Sequence, residues 1–126
     1  EVDWSQTRAY AVGLAGIYLN QRGRESQGIV APGPEAQQLA RELCDALSGL
    51  SDSSDGNSAV AIHEAVPRER VYHGPYVDAA PDVIVGYNVG YRVSWDAAVG
   101  KCGPSVFADN TKAWSGDHCV DPSVVP

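Results

Sequence analysis

The stretch "PGPEAQQLARELCDALSGL", residues 32 to 50, carries the clearest secondary-structure signal of the chain. Pro34 suits the first position of a helix, and Gly49 suits its end. Apolar residues recur at spacings of three and four, which places them on one face of a helix. These residues are Ala36, Leu39, Ala40, Leu43, Leu47 and Leu50. We therefore predict an amphipathic helix that packs this face into the core.

Before this helix, residues 9–20, "AYAVGLAGIYLN", are rich in residues that favour strands. They predict one or two strands, with a bend or a close backbone approach at Gly13 and Gly16. The following "QRGRE", residues 21–25, is typical of a turn, with Gly23 at a positive φ.

After the helix, the pattern predicts more strands. Residues 51–58, "SDSSDGNS", indicate a polar loop, and residues 59–66, "AVAIHEAV", a short strand. Residues 81–95, "PDVIVGYNVGYRVSW", predict a buried strand, a turn and a second strand. Residues 96–126 show little periodicity. Strands separated by one helix favour a mixed α/β fold in a single unit, residues 1–126.

The composition excludes some classes of function. With a net charge of -7 and only nine basic residues, scattered along 126 positions, the chain is not expected to bind nucleic-acid polymers. Its apolar runs are too short to cross a bilayer, so no membrane segment is expected. The chain begins with Glu1 and contains no Met, and we therefore expect a processed or excised form.

The three cysteines, Cys44, Cys102 and Cys119, are odd in number and lack C-x-x-C spacing. Neither a disulfide framework nor a zinc-ribbon site is indicated. Cys44 lies on the predicted helix and is expected to be buried. Pairing of Cys102 with Cys119 is left open.

The three histidines, His63, His73 and His118, do not show the H-x-x-x-H or H-E-x-x-H spacing of a local zinc pair. His63 is expected to be a partly exposed sheet residue, and His73 a hydrogen-bonded structural residue beside a Gly-Pro turn. No motif of a hydrolase nucleophile or of a phosphate-binding loop occurs, so we assign no catalytic residue.

His118 stands in "KAWSGDHCVDP", residues 112–122, next to Asp117 and close to Asp121. An imidazole beside a carboxylate suits a divalent metal or an oriented general base. The same residues would also suit a simple polar turn. The residues alone leave these alternatives open.

Three longer strings carry a family resemblance. They are "VDWSQTRAYAVGLAGIYLNQRGRESQGIV" at 2–30, "VYHGPYVDAAPDVIVGY" at 71–87 and "WSGDHCVDP" at 114–122. In this order they resemble a bacterial branch of the type I phosphodiesterase/nucleotide pyrophosphatase family, in the alkaline phosphatase superfamily. The resemblance implies an alkaline-phosphatase-like α/β/α sandwich around a mixed sheet. It further implies that this chain is an incomplete, C-terminal segment of a larger catalytic domain.

The resemblance also implies a site with two zinc ions and a Thr or Ser nucleophile. His118 matches the last His ligand of the family. The nucleophile, the early Asp ligand and the family's Asp-His-Gly motif have no counterpart in this chain. Asp117, His73 and Arg24 receive no role from the resemblance.

We therefore expect part of a metal-dependent phosphoester hydrolase that is inactive by itself. Its partners would be the missing N-terminal portion of the same protein and a phosphoester substrate. The alternative is a non-catalytic binding or interaction module that uses part of the same fold.

Overall fold

The structure, a computed structural model, describes residues 2–53, 56, 58–101, 103–113, 116 and 118–126. In chain order, its elements are β1 (Ala9–Val12), β2 (Gly16–Leu19), α1 (Pro34–Leu47), β3 (Ser51–Asp52), β4 (Ala59–Val60), β5 (Ile62–Pro67), β6 (Val83–Tyr87) and α2 (Trp95–Ala98). Short 3₁₀ turns follow β5, precede β6 and end the chain, at Arg68–Arg70, Val77–Ala79 and Pro122–Val124. The predicted mixed α/β class is confirmed.

The main sheet has four strands in the order β1-β2-β6-β5, and every neighbouring pair is antiparallel. A mixed sheet was predicted, but among the described strands parallel pairing in this sheet is limited to one bridge, between Tyr87 and Val120. Parallel neighbours need a long crossover, usually helical. The connection between β5 and β6, residues 68–82, holds only short 3₁₀ turns and returns the chain antiparallel. β3 and β4 form a separate two-stranded sheet.

Helix α1 covers one face of the main sheet and contacts β5 and β6. The core between them is formed by Leu19, Val30, Ala36, Leu39, Ala40, Cys44, Ala65 and Val83. In the described part of the chain, no helix combines the length and the apolar character that crossing a membrane requires. Helix and sheet thus form two packed layers here, and the three-layer sandwich stays a prediction.

Several local predictions are confirmed. α1 begins at Pro34, and Gly49, just beyond its end, has a φ of 75°. Residues 9–20 form the β1–β2 hairpin, which turns at Gly13 with a φ of 77°. Gly23 has a φ of 83°, as the turn prediction requires. Cys44 is buried in the core.

The second strand predicted within residues 81–95 is wrong. Residues 91–94 form no strand, and Ser94 instead caps α2 by accepting a hydrogen bond from the Asp96 backbone N–H at 3.2 Å. A hairpin partner after β6 would need a free edge of that strand. β6 lies between β2 and β5, and the part of its β2 edge that β2 leaves unpaired, at Tyr87, is bonded to Cys119 and Asp121, so no such edge is available.

Two further boundaries differ from the prediction. The stretch 59–66 is divided into β4 and β5 because these strands pair with different partners, β3 and β6. The stretch 51–58, predicted as a loop, begins with the two residues of β3.

Candidate functional site

The segment that follows His118 is anchored to the end of β6. The Tyr87 N–H donates to the Cys119 carbonyl at 3.2 Å, and the Asp121 N–H donates to the Tyr87 carbonyl at 2.8 Å. The segment occupies the part of the β6 edge that β2 leaves unpaired, because β2 pairs with β6 only at Val83 and Ile84. The chain near His118 is therefore fixed at the C-terminal end of a central strand, although it has no regular structure of its own.

Asp121 holds this anchor through its side chain. Its Oδ1 accepts hydrogen bonds from the Ser123 backbone N–H at 2.8 Å and from the Ser123 hydroxyl at 2.6 Å. The hydroxyl bond, followed by the backbone bond, lowers the pKa of Asp121 below its ordinary value. The rest of the carboxylate group lies over Gly86, where any added Cβ would collide with Asp121 Oδ2. Gly86 thus leaves the space that Asp121 occupies.

Cys119 has an unusual backbone conformation. Its φ of 63° is the only positive value of a non-glycine residue in the described part of the chain. The left-handed conformation costs such a residue roughly 1–2 kcal/mol, and it persists where the surroundings impose it. Here the two hydrogen bonds to Tyr87 impose it. The direction in which His118 leaves the anchored segment is set by this turn.

The side chain of His118 is exposed and forms no hydrogen bond to another described residue. The preceding loop is tied down at Gly116, whose carbonyl accepts a hydrogen bond from Arg92 Nη1 at 2.9 Å. An exposed imidazole on a restrained loop is free to bind a ligand. The proposed neighbour Asp117 lies outside the described residues, as does Cys102, so neither Asp117 nor the Cys102–Cys119 pairing is tested. Among the described residues, Cys119 forms no disulfide.

The other two histidines lie elsewhere on the surface. His63 is exposed on β5, at the bulge between Ile62 and Glu64, as predicted. It lies near enough to Asp121 for its charge to contribute to the lowered pKa of that carboxyl. His73 is exposed and forms no hydrogen bond to another described residue, so the predicted hydrogen-bonded role is wrong. The fold thus places His63 and Asp121 at the same end of the sheet, which their separation in sequence did not indicate.

A complete metal site is not formed by the described residues. Among them, no group of three or more His, Cys, Asp or Glu side chains is arranged to hold a metal ion. Catalytic zinc sites use three protein ligands and an open position. His118 can therefore supply one ligand of such a site, and the residues described here do not fit the whole of it.

At the opposite end of β6, Arg24 forms a partly buried clamp that the sequence did not indicate. Its Nη1 and Nη2 donate to the two carboxylate oxygens of Asp82, at 3.1 and 2.6 Å, and its Nε donates to Glu25 at 2.7 Å. Burial disfavours the charged guanidinium, but these bonds outweigh it and raise the pKa of Arg24. Asp82 Oδ2 also accepts the Leu19 backbone N–H at 2.7 Å. Arg24 therefore joins the β1–β2 hairpin to β6.

Comparison with known proteins identified no similar protein. The chain matches no protein-family model, no curated protein and no solved structure. The family resemblance of the three strings in the sequence therefore stays a prediction.

Proposed function

We propose that the chain is the C-terminal part of a metal-dependent phosphodiesterase or nucleotide pyrophosphatase, and that His118 is one of its zinc ligands. The three strings that carry the family resemblance support this proposal. One observation in the structure carries it: the imidazole of His118 is exposed, has no hydrogen-bond partner among the described residues, and stands on a loop fixed to the end of β6.

The anchored segment suits the presentation of a ligand. A metal ligand must be held in place by its surroundings, because a loose side chain loses entropy on binding. The Tyr87 hydrogen bonds and the Asp121–Gly86 packing restrain the backbone on the C-terminal side of His118. The Arg92–Gly116 hydrogen bond restrains it on the N-terminal side. The imidazole between these two restraints remains open.

The remaining ligands and the nucleophile would come from the N-terminal portion of the same protein. Paired zinc ions polarise phosphoryl oxygens and lower the pKa of the attacking hydroxyl group. Because His118 supplies one ligand only, the chain by itself is expected to hydrolyse no phosphoester. Full activity is expected only when the two portions are joined.

The experiment uses the product of the complete gene, assayed with zinc on the generic substrate bis(p-nitrophenyl) phosphate. His118→Ala is expected to lower kcat/KM more than about a hundredfold, since even groups that only support a metal ligand contribute 10- to 100-fold. His73→Ala is the matched control, because His73 is also exposed and free of hydrogen bonds among the described residues. Its activity is expected to be unchanged.

Bound zinc, measured by elemental analysis, should fall in the His118→Ala protein and stay constant in the His73→Ala protein. Equal activity of the two variants would remove His118 from the site. Turnover by the isolated 126-residue chain that depends on His118 would overturn the proposed division between two portions.

The second candidate is a non-catalytic binding module. It is favoured by four arginines that line two cavities beside the N-terminal end of β6, namely Arg22, Arg24, Arg41 and Arg68. These side chains could bind an anionic ligand without a metal ion. A complete gene product that shows neither zinc nor phosphodiester hydrolysis would select this candidate.

A further inference from the structure

Four arginines surround two adjoining cavities beside the N-terminal end of β6. The first cavity, of about 420 Å³, is lined by three of them, Arg22, Arg24 and Arg68. The second, of about 270 Å³, shares Arg68 and is bordered by Arg41 of α1. We name these four residues and the space between them the arginine groove. It gathers four of the nine basic residues of a chain whose net charge is -7.

Two of the four arginines have no carboxylate partner. No acidic side chain of the described residues lies within ion-pair distance of Arg22 or Arg41. Arg41 instead donates to the neutral amide of Gln38 at 2.9 Å. Both side chains belong to exposed residues. Their positive charges are therefore available to an anion.

Arg68 lies where the two cavities meet. Its side chain is 17% exposed, and its Nη1 lies 3.4 Å from Oδ1 of Asp82, whose side chain is only 7% exposed. Its contacts to the carboxylates of Asp78 and Glu69 are also long, at 3.5 and 3.4 Å. The side chains of these partners are 92% and 66% exposed. Such exposed pairs contribute only about 0–1 kcal/mol, so a bound anion can replace them. Arg68 thus lines both cavities, held in place by buried Asp82, while its pairs with Asp78 and Glu69 are open to exchange for a bound anion.

Arg24 gives the groove a rigid wall. Its guanidinium is fixed by Asp82 and Glu25, and the turn at Gly23, with a φ of 83°, carries the chain from Arg22 to Arg24. The turn brings Arg22 into the lining of the same cavity. A preorganised set of donors loses less entropy when a ligand binds.

We propose that the arginine groove binds the phosphoryl oxygens of a ligand with more than one phosphate group, such as a pyrophosphate linkage. Guanidinium groups match phosphate oxygens with paired hydrogen bonds. Two cavities that share Arg68 offer room for two neighbouring phosphoryl groups. The negative net charge opposes general attraction of anions, so binding depends on these local arginines.

This binding is separate from the proposed role of His118. Asp82 borders the groove, and Tyr87 anchors the His118 segment. These residues lie at opposite ends of β6, about 16 Å apart at the rise of an extended strand. The groove requires no metal, so its test does not depend on zinc.

The test is a titration of the ¹⁵N-labelled chain with inorganic pyrophosphate, in the presence of a chelator, followed by NMR. We expect saturable shifts of the arginine Nε–H signals of Arg22, Arg24 and Arg68. Arg22→Gln and Arg41→Gln are each expected to raise Kd about tenfold, through loss of a charge-assisted hydrogen bond. Arg8→Gln is the matched control: Arg8 is exposed, carries the same charge and does not line either cavity.

Arg8→Gln should change Kd by less than about twofold, because a distant exposed charge is screened by salt. A loss equal to that of Arg22→Gln would show general charge attraction and overturn the proposal. Absence of saturable shifts would also overturn it. Citrate serves as a carboxylate probe, and binding of citrate as tight as that of pyrophosphate would overturn the assignment to phosphoryl groups.

Discussion

Asp82 binds Arg24 through both carboxylate oxygens, across 58 positions of sequence. The side chain of Asp82 is 7% exposed and that of Arg24 is 23% exposed. Since Asp82 also accepts the Leu19 backbone N–H, one carboxylate fixes both the end of β2 and the arginine that follows it. The clamp explains why two distant charged residues lie beside an apolar core.

Asp82→Asn is expected to lower the free energy of unfolding by about 2 kcal/mol, because it removes one of the two carboxylates that hold the partly buried guanidinium of Arg24, while Glu25 remains. Urea unfolding measures this change. Asp78→Asn is the control, because the Asp78 side chain is 92% exposed and its ion pair with Arg68 is long, at 3.5 Å. That variant should change stability by less than about 0.5 kcal/mol. If Asp82→Asn lost no more stability than Asp78→Asn, the clamp would not contribute to the stability of the fold.

Gly86→Ala is expected to displace the C-terminal segment, because the new Cβ would collide with Asp121 Oδ2. Overpacking of this kind costs roughly 1–3 kcal/mol. Hydrogen exchange of the Asp121 N–H, which donates to Tyr87, should become faster. Gly103→Ala is the control, because its added Cβ would make only an ordinary contact, at 3.8 Å. The double variant Gly86→Ala/Asp121→Ala should recover part of the loss, and full additivity of the two changes would contradict this packing.

Cys119→Gly is expected to be as stable as the natural chain, or more stable by up to about 1 kcal/mol. Glycine adopts the positive φ without strain, although it also makes the unfolded state more flexible. Cys119→Val is expected to lose about 1 kcal/mol or more, since β-branched residues avoid this conformation. Urea unfolding of the two variants ranks them. A valine variant more stable than the glycine variant would contradict the imposed positive φ.

Ser123→Ala is expected to raise the pKa of Asp121 towards its ordinary value of 3.8, because the Ser123 hydroxyl bond is the largest cause of the lowered pKa. A carboxyl whose folded pKa is lowered stabilises the fold above its unfolded pKa and loses this effect as pH falls through the folded value. The anchor should therefore weaken in acid, below about pH 4. A carboxyl NMR titration checks both points. Ser105→Ala is the control, because the Ser105 hydroxyl bonds the Phe107 carbonyl instead.

Identical Asp121 titrations in the natural chain and the Ser123→Ala variant would show that the hydroxyl does not act on this carboxyl. A lowered pKa that persists in both would then have to come from the Ser123 backbone N–H and from His63, the other favourable contributions.

Local signals in the sequence predicted the elements whose interactions are local. The three- and four-residue spacing around Leu39 predicted α1, and Gly13 marked the turn of the first hairpin. Spacing could not show that Arg24 and Asp82 meet, because their contact depends on how distant strands align. The prediction of a strand at 91–95 was wrong for the same reason. Its residues favour strands, but both edges of β6 are already occupied, by β5 on one side and by β2 and the Cys119–Asp121 segment on the other.

The candidate site shows the same contrast between local features, which the sequence indicated, and contacts between distant residues, which it did not. His118 was selected from its own neighbourhood in the sequence. The segment Cys119–Asp121 was not expected to bond to the end of β6, and Gly86 was not expected to receive the Asp121 side chain. These contacts join positions more than 30 residues apart, so they are properties of the sheet and not of a motif.

The central position of β6 has a consequence for the order of folding. Its two partners, β2 and β5, precede it in the chain, and they cannot join each other without it. Contacts between distant segments form late because the connecting chain must first be closed. On a ribosome, α1 could pack on β5 as soon as both had emerged, but the first hairpin would have no strand of the sheet to pair with until Val83–Tyr87 had left the exit tunnel. Only then could the last segment dock beside Tyr87, so the residues that hold His118 in place would be among the last to become ordered.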